Sequence, residues 1–307
     1  MEKVIVVIGP TSVGKTKMGV ALAKKFNGEV ISGDSMQIYK QMDIGTAKVT
    51  EEEKEGIIHH CVDILNPDET YSVHDFQQTV RKKITEITQR GHVPIIVGGT
   101  GLYIKAALYD YQFDEMENDH HAINEKYKDY TNEQLHDHLK SIDEESAKIL
   151  HFNNRRRVLR AIEIYETTGK RKSEMLEEQE HICLYDAYFV GLTLPRDVLY
   201  ERINKRVDMM MENGLKEEME RLYSQGLTRN HQSMKAIGYK EWFDYYDHQI
   251  DLNDVLELIK KHSRQYAKRQ YTWFKNQFDV HWYDVNLENF EQTIEQVTDD
   301  IEKILKV

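Results

Sequence analysis

Long apolar runs are missing from this chain of 307 residues. None approaches the roughly 20 residues a bilayer-spanning helix needs, so no membrane span is expected. Cysteine is nearly absent. Cys61 and Cys183 are the two present, and neither sits in a Cys-x-x-Cys. A zinc site built on paired cysteines and a disulfide scaffold are therefore not expected. The opening Met1-Glu2-Lys3 enters a strand-like segment directly. It lacks the basic start and small-residue cleavage site of a secretory signal. These features point to a reducing, cytoplasmic compartment. Net positive charge is missing too: the balance is −12. Alone that argues against a nucleic-acid partner, but an average hides local basic patches.

What is present is ordinary for a globular protein: 40% hydrophobic and 31% charged residues, in a length that suits a large core with an insertion. Val4-Ile5-Val6-Val7-Ile8 is a β-branched run, which reads as a strand buried on both faces of a parallel sheet. A helix-like pattern through Met18, Leu22, Ala23 and Phe26 follows, ended by Gly28. Further strands are expected at 29–32, 60–64 and 94–97, and a helix at 71–89 with Ser72 as N-cap. Such alternation predicts an α/β fold with a parallel sheet flanked by helices. Ligands then bind beyond the carboxyl ends of the strands, where Gly9–Thr16, Asp34 and Thr100 fall. From about Asp110 no strand-like run appears, and an all-helical insertion domain is expected over 113–188. The core is then 1–112 plus 189–307. Strands are expected at 188–194 and 280–283, and a helix at 199–215.

Gly9, Pro10, Thr11, Ser12, Val13, Gly14, Lys15 and Thr16 match G-x-x-x-x-G-K-S/T. Glycines let the backbone curl so that N–H groups meet phosphate oxygens. Lys15 adds a cation, and the Thr16 hydroxyl is a candidate ligand for Mg²⁺. The helix N-terminus behind the loop adds positive dipole. A buried strand before and a helix after are the context this P-loop needs. The motif leaves the substrate open, because most such loops bind nucleoside triphosphates such as ATP. Many pair the loop with an acid at the end of a buried strand. Here the strand at 94–97 ends in Gly-Gly-Thr, which weakens an ATPase or GTPase reading. Asp34 has three readings by spacing: a general base, a water-mediated Mg²⁺ ligand, or a cap on Ser35-Met36-Gln37.

Six segments resemble one family. They are the P-loop at 9–16, Asp-Ser-Met-Gln-Ile-Tyr-Lys at 34–40, Met-Asp-Ile-Gly-Thr-Ala-Lys at 42–48, Val-Gly-Gly-Thr-Gly-Leu-Tyr at 97–103, Ala-Ile-Gly-Tyr-Lys-Glu at 236–241 and Ala-Lys-Arg-Gln-Tyr-Thr-Trp-Phe at 267–274. In order and in content they resemble the tRNA dimethylallyltransferases, and the likeness is weakest at 110–124. The resemblance implies transfer of a dimethylallyl group from dimethylallyl diphosphate to N6 of the adenine at tRNA position 37, beside the anticodon. It implies Lys15, Asp34 and Thr100 as catalytic, with Asp34 orienting and deprotonating the amine. It implies diphosphate binding by residues 9–16 and Arg206, and Mg²⁺ on Thr16. It further implies contacts to the tRNA anticodon stem-loop from Asp34, Ser35, Met36, Gln37 and Thr100. Other implied contacts are Arg156, Arg157, Val158, Leu159 and Arg160, and then Lys235, Ala236, Ile237, Gly238, Tyr239 and Lys240. The last group is Lys268, Arg269, Gln270, Tyr271, Thr272, Trp273, Phe274 and Lys275. A monomer is expected.

By spacing alone, Arg155-Arg156-Arg157 with Arg160 is a basic helix start, and Lys260, Arg264 and Lys268 form one stripe on a helix. Either cluster also fits a solvated face. Trp273 suits core packing, whereas Tyr271 and Trp273 could both stack on bases. Arg202 and Arg206 at i, i+4 fit surface ion pairs. His59-His60 and His120-His121 lack further ligands at metal spacing. Three rivals remain: an isoprenyltransferase acting on free AMP or ATP, a small-molecule kinase, and a non-catalytic RNA-binding protein.

Overall fold

A computed structural model describes residues 1–111, 120–177 and 181–305. In chain order the elements are β1 (Lys3–Ile8), α1 (Lys15–Lys25), β2 (Gly28–Ser32), α2 (Glu51–Lys54), β3 (His59–His60), α3 (Val73–Gln89), β4 (Val93–Val97) and α4 (Gly101–Leu108). Then come α5 (His120–Lys126), α6 (Asn132–Ile142), α7 (Glu144–Ile149), α8 (Arg155–Thr168) and α9 (Lys172–Glu177). The chain continues with β5 (Asp186–Thr193), α10 (Arg196–Glu212), α11 (Leu215–Ser224), α12 (Trp242–Tyr246), α13 (Leu252–Gln277), β6 (His281–Asp284) and α14 (Phe290–Leu305).

The six strands form one parallel sheet in the order β3-β2-β4-β1-β5-β6. Alternation along β1 explains why Val4–Ile8 is apolar throughout. Val4, Val6 and Ile8 join one buried cluster, with Ile31, Ile96 and residues of α3, α11 and α12. Ile5 and Val7 join the other, with Val30, Ile95 and residues of α1, α10 and α14. A parallel sheet covered on both faces needs apolar side chains through its centre, and Val4–Ile8 of β1 and Ile95–Ile96 of β4 supply them. Ser72 caps α3 as its spacing predicted: its hydroxyl accepts from Asp75 N–H while the Asp75 carboxylate accepts from Ser72 N–H.

Three expectations are corrected. The strand foreseen at 60–64 stops at His60. Cys61 and Asp63 take positive φ, Asp63 pairs with Lys48, and Ile64 and Leu65 bond to Ile38 instead of continuing the sheet. The helix foreseen at 199–215 runs Arg196–Glu212, because Pro195 is its N-cap and Gly214, at φ +98°, begins α11. The boundaries of the insertion also differ. The compact helical unit is Asp110–Ile182, and Met1–Tyr109 with Cys183–Val307 forms the core unit. Tyr109 bridges Cys183, and Leu184 N–H donates to Leu108, so 183–188 is already core. The insertion has its own apolar centre, including Ile123, Leu135, Leu139, Val158 and Ile162. Its long helix ends at Gly169 in the left-handed region.

Candidate active site

The loop after β1 has the shape its glycines predict. Gly9 has φ +144°, and a Cβ there would meet the Leu192 carbonyl at 2.5 Å. Gly14, at φ +96°, is the N-cap of α1 and offers no side-chain cap. The first N–H groups of α1 thus keep their capacity for an anion. Ser12 Oγ is buried without a hydrogen-bond partner among the described residues. A buried orphan hydroxyl of this kind is costly unless a ligand completes it.

Four charged groups converge here. Lys15 Nζ donates to the Pro10 carbonyl at 2.6 Å. Burial pushes its ammonium down to about 7, the Arg206 charge adds to that, and the Asp34 carboxylate opposes it. Arg206 Nη1 donates to Thr11 Oγ1 at 2.9 Å, and Arg202 Nε donates to the Ser12 carbonyl at 3.0 Å. The i, i+4 arginines of α10 therefore reach the P-loop, and among the described residues they do not form the surface ion pairs that their spacing also allowed. Asp34, just beyond β2, has its carboxyl pushed up by burial. The Met36 N–H, which donates to Oδ1 at 2.8 Å, and the charges of Lys15 and Arg206 pull the other way.

The loop of Asp34 is laced to the turn after β4. Thr100 Oγ1 accepts from Ser35 N–H at 3.1 Å, and Thr100 N–H donates to the Gly33 carbonyl at 3.2 Å. Tyr266 OH donates to the Gly99 carbonyl at 3.3 Å, and burial with the nearby Asp34 charge pushes the phenol to about 12. The site thus has a cationic half (P-loop, Lys15, Arg206) and a carboxylate half (Asp34, Ser35, Thr100). Each half feels the other's charge.

The family model for IPP transferase matches residues 37–277. The chain belongs to the IPP transferase family. It is 55% identical to the tRNA dimethylallyltransferase of Bacillus cereus strain AH187, an alignment covering 92% of this chain and 90% of that protein. Among solved structures it resembles the tRNA isopentenylpyrophosphate transferase of Bacillus halodurans, at 44% identity and a TM-score of 0.75, covering 100% of this chain and 99% of that one. It also resembles a eukaryotic dimethylallyltransferase acting on tRNA, at 33% identity and a TM-score of 0.86, covering 99% of this chain and 79% of that one.

On this IPP transferase scaffold the segments read as tRNA contacts divide by burial. Arg156, Arg157, Lys235, Lys240, Lys268, Arg269, Tyr271, Thr272 and Lys275 are exposed. Val158, Leu159, Ala236, Gly238, Tyr239, Gln270 and Phe274 are buried, so these residues pack inward beneath the exposed ones. Ile237 and Trp273 are half-buried. Trp273 packs edge-on to Phe274 and Phe278 and lies against Gly101, in line with the core role. Tyr271 lies against Trp282. The stripe of Lys260, Arg264 and Lys268 is reduced to Lys268. Lys260 pairs with Asp208 at 2.8 Å and Arg264 bonds to Asn204, because α13 packs on α10. In the insertion, Arg155 donates to the carbonyls of Tyr127 and Tyr130, and Arg160 pairs with buried Glu163. Gln37 is likewise committed: its amide donates to the Thr46 and Ala47 carbonyls and accepts from Ser32 Oγ. His60 bonds Glu29 and His59 bonds the Ile57 carbonyl. The side chains of His120 and His121 lie outside those described.

Glu218 escaped the sequence reading. It is 2% exposed. Its carboxylate accepts from the N–H groups of Asp43, Ile44 and Gly45 at 2.9, 2.9 and 3.1 Å, and from Tyr239 OH at 2.6 Å. One acid thus joins the 42–48 segment to the 235–240 turn. Glu218→Ala leaves four donors without their shared acceptor, the buried Tyr239 hydroxyl among them, so a loss of roughly 3 kcal/mol is expected. Chemical denaturation with urea checks it.

Proposed function

We propose that this transferase moves the dimethylallyl group of dimethylallyl diphosphate onto N6 of an adenosine in the anticodon loop of a tRNA, at position 37, in the cytoplasm. One observation carries the reading: a half-buried carboxylate stands in the field of a P-loop lysine and an arginine. An adenine amine is a weak nucleophile, so a base that orients it and accepts its proton is useful. As the allylic C–O bond breaks and the new C–N bond forms, negative charge builds on the leaving diphosphate. Lys15, Arg206 and the N–H groups at the start of α1 are aligned to stabilise it. The proton from N6 passes to Asp34.

Donors around the loop are the hydroxyls of Ser12 and Thr16 and one carboxylate. Among the described residues no group of three His, Cys, Asp or Glu is placed to hold a metal. That donor set suits Mg²⁺ held mainly by the diphosphate, with Thr16 as the protein ligand. The ion supplies further charge neutralisation at the leaving group.

The target base lies in a loop and must be turned out to reach a carboxylate set back among the loops. The exposed cations Arg156 and Arg157 on the insertion, and Lys268, Arg269 and Lys275 on α13, suit the RNA backbone. Arg156→Glu with Arg157→Glu is expected to weaken tRNA binding by about tenfold or more and to flatten its salt dependence. Binding of inorganic diphosphate is unchanged. Filter binding across a salt series reads the first, calorimetry the second. The decisive test of function is mass analysis of tRNA after incubation with the protein, dimethylallyl diphosphate and Mg²⁺. A gain of one dimethylallyl group on tRNA supports the reading. Modification of free AMP alone, or phosphate transfer from ATP, overturns it.

A further inference from the structure

Gln270 sits in the C-terminal third of α13 and is 6% exposed, although its neighbours Arg269 and Tyr271 face solvent. Its side-chain amide makes two hydrogen bonds to two different loops. Oε1 accepts from the Thr11 N–H at 3.0 Å, and Nε2 donates to the Gly99 carbonyl at 2.9 Å. Thr11 belongs to the P-loop and carries the hydroxyl that Arg206 holds. Gly99 precedes Thr100, which holds the loop of Asp34. The fit at Gly99 is close, since a Cβ there would lie 2.2 Å from Gln270 Nε2. The bond to Thr11 also turns one P-loop N–H away from the phosphate cradle and toward α13.

We propose that Gln270 is a positioning residue that fixes the distance between the diphosphate half and the acceptor half of the site. The claim rests on the transferase reading above. The two loops come from different strands, and Gln270 is a single neutral group donating to one and accepting from the other. A glutamine is suited to this because it is both donor and acceptor, with reach that asparagine lacks. A transfer reaction is sensitive to such spacing. Small displacements of reacting atoms cost far more in rate than in ground-state binding.

The test compares wild type, Gln270→Ala and Gln270→Glu with full-length tRNA and dimethylallyl diphosphate, after thermal melts establish folding. For Gln270→Ala, kcat is expected to fall by about 30-fold, with both KM values within about threefold of wild type. A kcat within about threefold of wild type overturns the proposal, and so does a loss confined to KM. Gln270→Glu supplies a second readout that a structural role would not move. Its ionised carboxylate still accepts from Thr11 but opposes the Gly99 carbonyl. Its protonated form donates to Gly99 again. The ratio of variant to wild-type kcat should therefore rise as pH falls from about 8.5 to about 6, since a buried carboxyl beside a carbonyl protonates readily. A flat or falling ratio overturns the proposal, including when Gln270→Ala does not fold. Wild-type protein that transfers nothing would end both this inference and the reading beneath it.

Discussion

Asp34→Asn is expected to lower kcat by about 10³-fold, within the range a positioned general base contributes. Inorganic diphosphate and tRNA should both still bind. Asparagine keeps the oxygen that accepts from Met36 N–H, so the loop keeps its shape while the proposed proton acceptor is lost. Stability supplies a control. Burial raises the Asp34 carboxyl above its ordinary value. The folded state therefore holds that proton more firmly than the unfolded state, and the ionised group costs stability above the unfolded value. The amide avoids this cost, so the variant should be as stable as wild type, or more so, at neutral pH and lose any advantage in acid. A variant that is inactive and less stable at neutral pH would contradict a desolvated base. In wild type the rate should fall as pH drops through the raised value, because the base must be ionised to act. A single-turnover pH profile reads this, and the acid limb should vanish in the variant's residual activity.

The sequence was informative where function is local. The P-loop is eight adjacent residues between a buried strand and a helix, and Ser72 caps a helix through Asp75, three residues on. Asp34 could be placed because β-branched runs predict strand ends. Its role stayed open among three readings, since the fields of Lys15 and Arg206 come from other elements. Contacts between distant segments carried no local signal. Gln270 meets Thr11 across 259 positions, and Glu218 meets Asp43 across 175. Nothing beside either residue announces its partner. The basic stripe of α13 is ambiguous for the same reason, because spacing shows a shared helix face but not the Asp208 and Asn204 opposite it. A glutamate on a helix such as Glu218 reads as solvated unless its burial is known.

Lys15 gives the other large effect. Lys15→Met should reduce kcat/KM for dimethylallyl diphosphate by about 10²- to 10³-fold, the loss typical when one preorganised charge donor is removed. The pH behaviour tests the physics more closely. Its ammonium lies at about 7 in the ligand-free site, chiefly through burial and then through the Arg206 charge. Near neutral pH a part of the molecules therefore carries Lys15 uncharged. A bound diphosphate places negative charge beside it and favours the protonated form. Binding should then take up a proton around pH 7, and affinity for inorganic diphosphate should weaken as pH rises above that value. Calorimetry in two buffers of different ionisation enthalpy measures the uptake directly. Equal apparent enthalpies in both buffers, or uptake persisting unchanged in Lys15→Met, would contradict the assignment. The stability sign is opposite to that of an ordinary ion-paired lysine. With its folded value lowered, the group costs stability that grows as pH falls from the unfolded value toward about 7 and then levels off. Lys15→Met should therefore stabilise the ligand-free protein at and below neutral pH while disabling it. That combination is expected of a charge held in a dry cradle for a phosphate.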